Sequence, residues 1–459
     1  MSIRNSRIAA LVLATAAALS AAACGSGSPS PQGSAGSTSS NPATAASSGS
    51  ASAPTPGTTS NADAAATMTW WHNGTSDPLL TVWQHAADAY HAAHPNVTIK
   101  VDPIQNEQFQ TKVPLALQGS DFPTIYQQWG GGQEASQLSS GKVLDLSAAT
   151  SGWVSQLGPA AAAWQVNGKQ YGVPYDLHVV GFWYRKDLFA QAGITAPPAT
   201  LDDLNADVAK LKSAGLAPIS IGSKDRWPDA FWWEYFAVRE CSLNTLKTQI
   251  PALKLTDGCW KRAGDDLTAF LATKPFQDSF LGTPAQQGAG SSAGLLANGK
   301  AAMELQGDWE LGTMTSLTSD KNLASEVGWF PFPAVTGGQG DPGVALGGGD
   351  GFSCTVGAPA ACADFLKYLD DQDVQSQIAA QGIGLPVNPA AASSLTDPAL
   401  QSAFQYSHSA SYIQTYFDIA MPTNVGQALD SAVADFFAGK GSTQSIIDSV
   451  SKASSGSDK

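Results

Sequence analysis

Residues 67–101 read TMTWWHNGTSDPLLTVWQHAADAYHAAHPNVTIKV, and this stretch decides the fold class. It opens with a short β-type run at 67–71, and a second run follows at 97–101. Between them, apolar residues recur at helical spacing from Leu79 to Tyr90. A further helix is predicted at 107–118 and a third strand at 124–127. Right-handed crossovers turn such a run into a parallel, doubly wound sheet, with ligands outside the carboxyl ends of its strands.

The alternation of strands and helices restarts in the middle of the chain. Asn167-Gly168 is typical of a type I′ hairpin turn, and a strand at 179–184, a helix at 186–192 and a strand at 218–221 follow. Later strands are predicted at 301–305 and 327–330, with mostly helices from 359 onward. Since 459 residues exceed what one hydrophobic core usually serves, we predict two α/β lobes. The chain is expected to cross between them near Tyr175-Asp176 and at the glycine run 347–351.

Charge and composition exclude one class of partner. The chain has 24 Lys and Arg against 38 Asp and Glu, a formal net charge of -14, whereas a nucleic-acid binder carries a basic surface. Charged residues make up only 14% of the chain, while 45 glycines and 27 prolines are present. This balance favours a protein with many turns and a neutral, polar binding surface.

The N-terminus has the pattern of an export signal. Arg4 and Arg7 precede an apolar run at 8–23, which is shorter than the ~20 residues a membrane span needs, and small residues lead into Cys24. This ending resembles the bacterial lipoprotein signal, although Ala21 stands where that signal prefers Leu. We expect cleavage after residue 23 and lipidation of Cys24; an ordinary cleaved signal with a lone cysteine is the alternative. Residues 25–66, nearly all Ser, Ala, Gly, Thr and Pro, are predicted to form a disordered tether.

Four further cysteines occur as two close pairs. Cys241 and Cys259 form one pair, and Cys354 and Cys362 form the other. Four cysteines allow three connectivities, of which pairing of neighbours is the simplest. In an oxidising exterior we expect disulfides. Metal binding is the weaker alternative because neither pair has Cys-x-x-Cys spacing.

Several short motifs, taken in order, resemble one protein family. They are TWWH (69–72), YGVPYD (171–176), YRKDL (184–188), GKAAM (299–303) running into GDW (307–309), and GLPV (384–387). Together they resemble the extracellular solute-binding proteins, family 1, of bacterial sugar ABC transporters. The resemblance implies a type II periplasmic-binding-protein fold, each lobe a mainly parallel sheet flanked by helices, with two or three hinge crossings. It further implies a monomer without cofactor or enzymatic activity, which closes on a carbohydrate and delivers it to membrane permease subunits.

The resulting domain map has four parts. Residues 1–24 are the signal peptide and 25–66 the tether. The first lobe covers 67–176, with about 350–385 returning to it. The second lobe covers 177–349, with helices of about 386–452. The mature protein is expected outside the cell, held to the membrane only through its lipid anchor.

Sugar chemistry selects the first candidate binding residues. A sugar presents hydroxyl groups at its rim and apolar C–H patches on its ring faces, so its site needs planar aromatic rings and fixed polar groups. Asp308 and Trp309 follow a predicted strand and offer both. Asp350 lies in a glycine run that allows close approach of a ligand. Ordinary packing is the alternative for Trp309, and turn formation is the alternative for Asp350.

Further candidates come from strand ends and from an aromatic segment. Asn73, Gln128 and Trp129 follow first-lobe strands, and Tyr175 and Asp176 lie at the lobe crossing. In the segment 226–236 one of three tryptophans could face the cleft; Trp232 is the candidate, with packing as its alternative. The full predicted site is Asp308, Trp309, Asp350, Trp232, Gln128, Trp129, Asn73, Tyr175 and Asp176.

Other function classes are weighed against this prediction. The pairs Asp308 with Glu310 and Asp350 with Glu304 could serve a secreted glycoside hydrolase, whose two carboxyls stand ~5–10 Å apart. However, the sequence contains no Gly-x-Ser-x-Gly, His-Glu-x-x-His or phosphate-loop motif. A binding protein for a non-sugar solute is the other alternative. Metal uptake is supported only by six histidines, and no metal ligand, cofactor or catalytic residue is predicted.

Overall fold

The computed structural model describes residues 62–456. The predicted signal peptide, Cys24 and residues 25–61 of the predicted tether lie outside the described residues, so those predictions stay untested. The predicted end of the tether at residue 66 is wrong, because a strand begins at Ala66 and the Ala66 N–H donates to the Asn96 carbonyl. Within 62–456, none of the helices combines the length and the apolar character that crossing a membrane requires.

The strands bring together residues from distant parts of the chain. They are β1 (Ala66–His72), β2 (Val97–Pro103), β3 (Ile125–Gln128), β4 (Gln165–Val166), β5 (Lys169–Gln170), β6 (Val173–Pro174), β7 (Asp176–Arg185), β8 (Ala217–Ser220), β9 (Ala301–Gly307), β10 (Val327–Phe330), β11 (Val344–Gly348), β12 (Gly351–Cys354), β13 (Leu385–Pro386) and β14 (Tyr412–Thr415).

Helices flank the sheets and make up most of the C-terminal part. They are α1 (Leu79–Ala93), α2 (Asn106–Gln118), α3 (Gly131–Gln137), α4 (Ser147–Thr150), α5 (Lys186–Gln191), α6 (Leu201–Ser213), α7 (Trp227–Glu240), α8 (Leu243–Gln249), α9 (Gly258–Ala272), α10 (Ser292–Ala297), α11 (Glu310–Ser316), α12 (Leu323–Glu326), α13 (Ala361–Leu369), α14 (Gln372–Ala380), α15 (Pro398–Ser409), α16 (Phe417–Ala420), α17 (Thr423–Phe437) and α18 (Thr443–Gly456). Short 3₁₀ segments lie at 138–140, 154–164, 223–225, 280–282 and 389–394.

The first sheet has the strand order β2-β1-β3-β12-β6. β1 is parallel to β2 and β3, as the opening sequence pattern predicts, whereas β12 is antiparallel to β3 and β6. Trp70 lies in its core and contacts Trp83 of α1, Phe352 of β12 and Phe365 of α13 at ring distances of 5.0–5.3 Å. Residues near 350–380 therefore pack on the sheet formed by the N-terminal residues.

The second sheet is organised around β7, with the order β14-β11-β7-β9-β8 and further pairings of β10 and β13 to β7. β7 is antiparallel to β9, β10, β11 and β13, while β8–β9 and β11–β14 are parallel. The prediction of a mainly parallel sheet is therefore wrong for this lobe. β7 carries the chain away from the first sheet and β11 carries it back. Because these two strands are neighbours, they must run in opposite directions.

Three segments link the two sheets. Tyr175 joins β6 to β7, residues 349–350 join β11 to β12, and β13 pairs with the start of β7 after α14. The first two are tightly packed: a Cβ at Gly349 would lie 2.5 Å from the backbone oxygen of Asp176. Glycine is required there because no side chain fits between the two backbones.

Local predictions agree closely with the described elements. The hairpin β4–β5 turns at Asn167 and Gly168, which have φ values of 53° and 76°. α2 contains Pro114, and α7 extends two residues before and one residue after the predicted 229–239. The structure links Cys241 to Cys259 and Cys354 to Cys362 by disulfide bonds, with Cα–Cα distances of 5.1 and 6.3 Å.

Candidate functional site

A histidine lies at the junction of the two lobes. His178 is in β7, and its side chain is 3% exposed. Its Nδ1 lies 3.1 and 3.3 Å from the two carboxylate oxygens of Asp308. On the other side of the ring, Nε2 lies 3.1 Å from Asp176 Oδ2 and 3.4 Å from Asp350 Oδ2. One imidazole therefore faces three carboxylates from three different segments.

Asp308 positions this histidine and does not face solvent. It follows β9, its side chain is 0% exposed, and its Oδ1 accepts the backbone N–H of Val179 at 2.8 Å. Asp308 thus contacts β7 at the junction, and its contact with a sugar stays a prediction. The adjacent Trp309 also contacts His178 at the junction.

Hydrogen bonds tie together the first two crossings. Asp176 Oδ1 accepts the backbone N–H of Asp350 at 2.7 Å, and the Tyr175 N–H donates to the Asp350 carbonyl at 2.8 Å. The Tyr175 hydroxyl donates to Asp350 Oδ2 at 3.1 Å. Tyr175 and Asp176 are otherwise buried, whereas the Asp350 side chain is 16% exposed. Of these acids, Asp350 is the one that a solute can reach.

Burial and charge oppose each other in this cluster. Burial raises the pKa of Asp176 to about 7, although His178 acts to lower it. Burial alone would lower the pKa of His178, but the carboxylates of Asp176 and Asp308 outweigh it and raise this pKa well above its ordinary value. The arrangement concentrates negative charge at the base of the junction.

Two tryptophans line the second-lobe side of the junction. The Trp309 ring meets His178 edge-on at 4.6 Å, and the ring of Trp227, at the start of α7, lies 6.4 Å from Trp309. The Trp309 ring folds back over Gly307, where a Cβ would collide with it, which explains the glycine of the GDW motif. No group among the described residues accepts a hydrogen bond from Trp309 Nε1.

The first lobe supplies polar groups that face these rings. The Trp227 Nε1–H donates to Glu107 Oε1 at 3.4 Å, across the junction. The neighbouring Asn106 accepts a hydrogen bond from Asn73 Nδ2 at 3.2 Å. Burial raises the pKa of Glu107, and the nearby carboxylate of Asp225 raises it further. We call the set Asn73, Asn106, Glu107, Trp227, Trp309 and Asp350 the cleft residues.

Two predicted residues at the end of β3 have different surroundings. Gln128 is buried, where it accepts the N–H of Gly130 and donates to Gln137 Oε1 at 3.2 Å, so it fixes the turn into α3. Trp129 is half-buried, meets Phe109 edge-on at 5.7 Å, and packs against both the first and the second lobe. Trp129 thus lies where the two lobes pack together, and Gln128 pairs with Gly351, the residue after Asp350.

Trp232 lies in the hydrophobic core of the second lobe. Its side chain is 1% exposed and stacks on Phe270 at 4.9 Å, with Phe182 edge-on at 5.6 Å. The packing alternative therefore describes Trp232. Trp227, five residues earlier, occupies the first turn of α7 and points to the cleft instead.

Sequence reasoning missed Asn106, Glu107 and His178. Glu107 contacts Trp227 through a side-chain hydrogen bond between α2 and α7, and no motif marks it. His178 carries a weak signal: it is two residues after Asp176, so both side chains lie on the same face of a strand. A buried strand with two charged residues on one face indicates a polar site.

Three of the four carboxyls considered for a hydrolase are buried, namely those of Glu304, Asp308 and Glu310. Glu304 and Glu310 contact each other. Burial raises the pKa of Glu310 to about 8 and that of Glu304 well above its usual range. Asp308 contacts His178 and the backbone of Val179, as described above. Each considered pair therefore contains at least one carboxyl that is buried.

Comparison with known families decides the class. The model of the family described as bacterial extracellular solute-binding protein matches residues 73–375. The chain belongs to this family. The match includes all six cleft residues, so this solute-binding protein carries them within the family's common region.

Curated relatives of this solute-binding protein are distant. Two uncharacterised ABC transporter extracellular-binding proteins of Pyrococcus horikoshii are 25% and 23% identical over 270 and 273 residues, which are 56% and 58% of this chain. The chain spans 58% and 59% of these two relatives' own lengths.

Solved structures share its fold. A protein from a study of xylan utilization by Caldanaerobius polysaccharolyticus superposes with a TM-score of 0.77 at 23% identity, covering 84% of this chain and 99% of that one. A chitin oligosaccharide binding protein superposes with a TM-score of 0.74 at 21% identity, covering 84% and 98%. These likenesses confirm the predicted two-lobed periplasmic-binding-protein fold.

Proposed function

We propose that this solute-binding protein captures an oligosaccharide between its two lobes and delivers it to the permease of an ABC importer. One observation carries the proposal: Trp227 of the second lobe, whose ring lies 6.4 Å from Trp309, donates a hydrogen bond to Glu107 of the first lobe. Asn106 and Asn73 are bonded to each other beside Glu107, and Asp350 lies at the hinge. Indole planes suit the C–H faces of sugar rings, and carboxylate and amide groups suit their hydroxyls.

The chemistry of the cleft residues favours an uncharged ligand with many hydroxyl groups. Asp350 and Glu107 supply acceptors, and Asn73 and Asn106 supply both donors and acceptors. No Lys or Arg belongs to this set of six, so an anionic solute would find no partner charge in it. Neutral sugars therefore fit the set better than organic acids or phosphates.

Structural neighbours support the ligand class. One is a chitin oligosaccharide binding protein, another was solved in complex with raffinose, and a third with bound maltose. Each shares the fold at no more than 21% identity, so the particular sugar does not transfer to this chain. Two tryptophans 6.4 Å apart offer more than one stacking surface, which favours an oligosaccharide over a monosaccharide.

Delivery and anchoring complete the proposal. The lobes close when sugar hydroxyls bridge them, and the permease recognises the closed form. The first lobe consists of 67–176 and about 350–385, and the second lobe of 177–349 and about 386–452. Lipidated Cys24 and the tether that follows it, at 25–61, hold the monomer on the outer face of the membrane. Disulfides 241–259 and 354–362 form after export.

Calorimetric titration tests this function. The exported chain, residues 25–459, is titrated with xylo-oligosaccharides, chito-oligosaccharides, raffinose and maltose, and a thermal-shift screen extends the panel because a ligand bound by the native state raises the melting temperature. We expect saturable 1:1 binding of at least one oligosaccharide, recovered unchanged afterwards. Hydrolysis of the bound sugar would support the glycoside hydrolase alternative, and binding of organic acids but no sugar would support a non-sugar solute.

A further inference from the structure

The three hinge residues Asp176, His178 and Asp350 form a cluster of potential metal ligands. His178 Nε2, Asp176 Oδ2 and Asp350 Oδ2 all lie within 4.8 Å of one another. The distances from Nε2 to the two oxygens are 3.1 and 3.4 Å. Ligand atoms ~2.1 Å from a tetrahedral ion are ~3.4 Å apart, so the two distances from Nε2 are close to those around a shared ion.

Each of these side chains is oriented by a second contact. Asp308 meets His178 Nδ1 at 3.1 Å and is itself held by Val179 N–H. Asp176 Oδ1 accepts the Asp350 N–H at 2.7 Å, which turns Oδ2 toward the histidine. A carboxylate on the far nitrogen of a ligating histidine is the usual outer partner in zinc sites. The outer contacts that a metal site needs are thus in place.

One buried hydroxyl beside the cluster lacks a hydrogen-bond partner among residues 62–456. It belongs to Tyr416, whose ring contacts the Gly348 Cβ position beside the same crossing. The Asp176 side chain is 1% exposed, and its Oδ2 contacts His178 Nε2 at 3.1 Å. A bound cation would take the place of the imidazole proton between these two atoms and would keep the buried carboxylate compensated.

We propose that Asp176, His178 and Asp350 bind one Zn²⁺ ion at the hinge, with a fourth coordination position open toward the cleft through the exposed edge of Asp350. One imidazole nitrogen and two carboxylate oxygens suit zinc, whereas Ca²⁺ takes six to eight oxygen ligands. The site joins the Asp176 crossing to the Asp350 crossing, so the ion would stiffen the hinge. This inference does not depend on the identity of the transported solute.

Metal titration without sugar tests the proposal. The exported chain is stripped with a chelator and titrated with ZnCl₂, and with CaCl₂ as the control ion. We expect one Zn²⁺ per chain and at least ~10-fold weaker binding in Asp350→Asn. Bound Co²⁺ should give a visible d–d absorption that the same variant loses. Sugar titrations are run separately, in the presence of chelator. The Zn²⁺ proposal and the sugar-binding proposal are therefore each tested even if the other one fails.

A matched variant separates the hinge from the surface. His94 also lies near two carboxylates, 2.6 Å from Asp63 and 4.0 Å from Asp364, but it is partly exposed. The hinge site is supported if His94→Gln leaves the Zn²⁺ affinity unchanged while Asp350→Asn and His178→Gln both lower it. Absence of Zn²⁺ binding, or loss of it only in His94→Gln, overturns the proposal. If His178→Gln does not fold, the Zn²⁺ affinity of Asp350→Asn and the Co²⁺ absorption spectrum test the proposal instead.

Discussion

The indole nitrogen of Trp227 lies 3.4 Å from Glu107 Oε1, and this contact joins the second lobe to the first. Trp227 begins α7 and Glu107 is in the first turn of α2, so two helix starts meet across the cleft. A sugar that enters the cleft must contact or displace this pair. The relationship makes both residues specific targets for substitution.

Trp309→Ala should weaken oligosaccharide binding tenfold or more, about 1.4 kcal/mol, because it removes a half-buried indole that contacts His178 at the hinge. Calorimetry of the exported chain measures the change, and circular dichroism checks folding. Trp153→Ala is the matched control, since Trp153 is also half-buried but lines a separate groove on the first lobe. Equal affinities in both variants would remove Trp309 from the site.

Trp227→Phe and Trp227→Ala separate stacking from hydrogen bonding. Phe keeps an aromatic face but loses the N–H that donates to Glu107, so we expect a smaller loss of affinity than with Ala. Titration of both variants with the same oligosaccharide measures the difference. A loss in Phe as large as that in Ala would show that the hydrogen bond, and not the ring, carries the contribution.

Gly349→Ala should disturb the hinge. Its Cβ would lie 2.5 Å from the Asp176 carbonyl oxygen, so the two crossings would have to separate, at a cost of about 1–3 kcal/mol in unfolding free energy. Denaturant unfolding measures this cost. Gly152→Ala is the control because no atom lies within 4 Å of its Cβ position. Equal stability of the two variants would contradict the tight packing of the crossings.

Buried Glu134 should make stability depend on pH. Burial raises its pKa from 4.5 to about 8 in the folded protein. A carboxyl whose pKa is raised by folding stabilises the folded state at pH values below its pKa in the unfolded chain. This contribution is lost as the pH rises through its pKa in the folded protein. Between pH ~4.5 and ~8 the folded state therefore binds one more proton than the unfolded state. In this range the free energy of unfolding falls by ~1.4 kcal/mol for each unit by which the pH rises. Glu134→Gln should match the wild type near pH 4 and exceed it near pH 8. If the difference in unfolding free energy between Glu134→Gln and the wild type is the same at both pH values, this assignment is contradicted.

Each disulfide should contribute through loop closure. For separations of 18 and 8 residues the chain-entropy relation gives about 3 and about 2.5 kcal/mol. The paired substitution Cys241→Ser with Cys259→Ser should therefore lower the unfolding free energy at least as much as the change at Cys354 and Cys362. Denaturant unfolding measures the unfolding free energy of the two double variants. The control is the change in wild-type stability when a reductant is added. Wild-type stability unaffected by reductant would show that the bridges are absent in solution.

The fold was largely predictable because period-2 and period-3.6 patterns follow directly from local geometry. The opening stretch at 67–101 gave β1, α1 and β2 with boundaries within three residues of those observed. Strand direction in the second lobe was not predictable in this way. It depends on β7 and β11 lying side by side, which is a consequence of the chain crossing and returning between lobes.

Site residues could be predicted from the sequence where they follow a strand or lie in a lobe crossing. Asp308 and Trp309 follow a strand and lie at the junction, and Asp350 meets Asp176 across 174 residues because both are in crossings. The choice among Trp227, Trp232 and Trp233 depends on which face of α7 packs on the core, and two of the three are buried there. Sequence alone could not show that Glu107 faces Trp227, since that contact exists only between the lobes.

The central claim is that a neutral oligosaccharide binds between the lobes and closes them. Small-angle scattering during titration of the exported chain with its best-binding oligosaccharide measures this most directly. We predict a saturable fall in the radius of gyration that follows calorimetric occupancy and is shifted to higher sugar concentration in Trp309→Ala. Saturable binding with no change in the radius of gyration, and with full affinity in Trp309→Ala, would contradict the account.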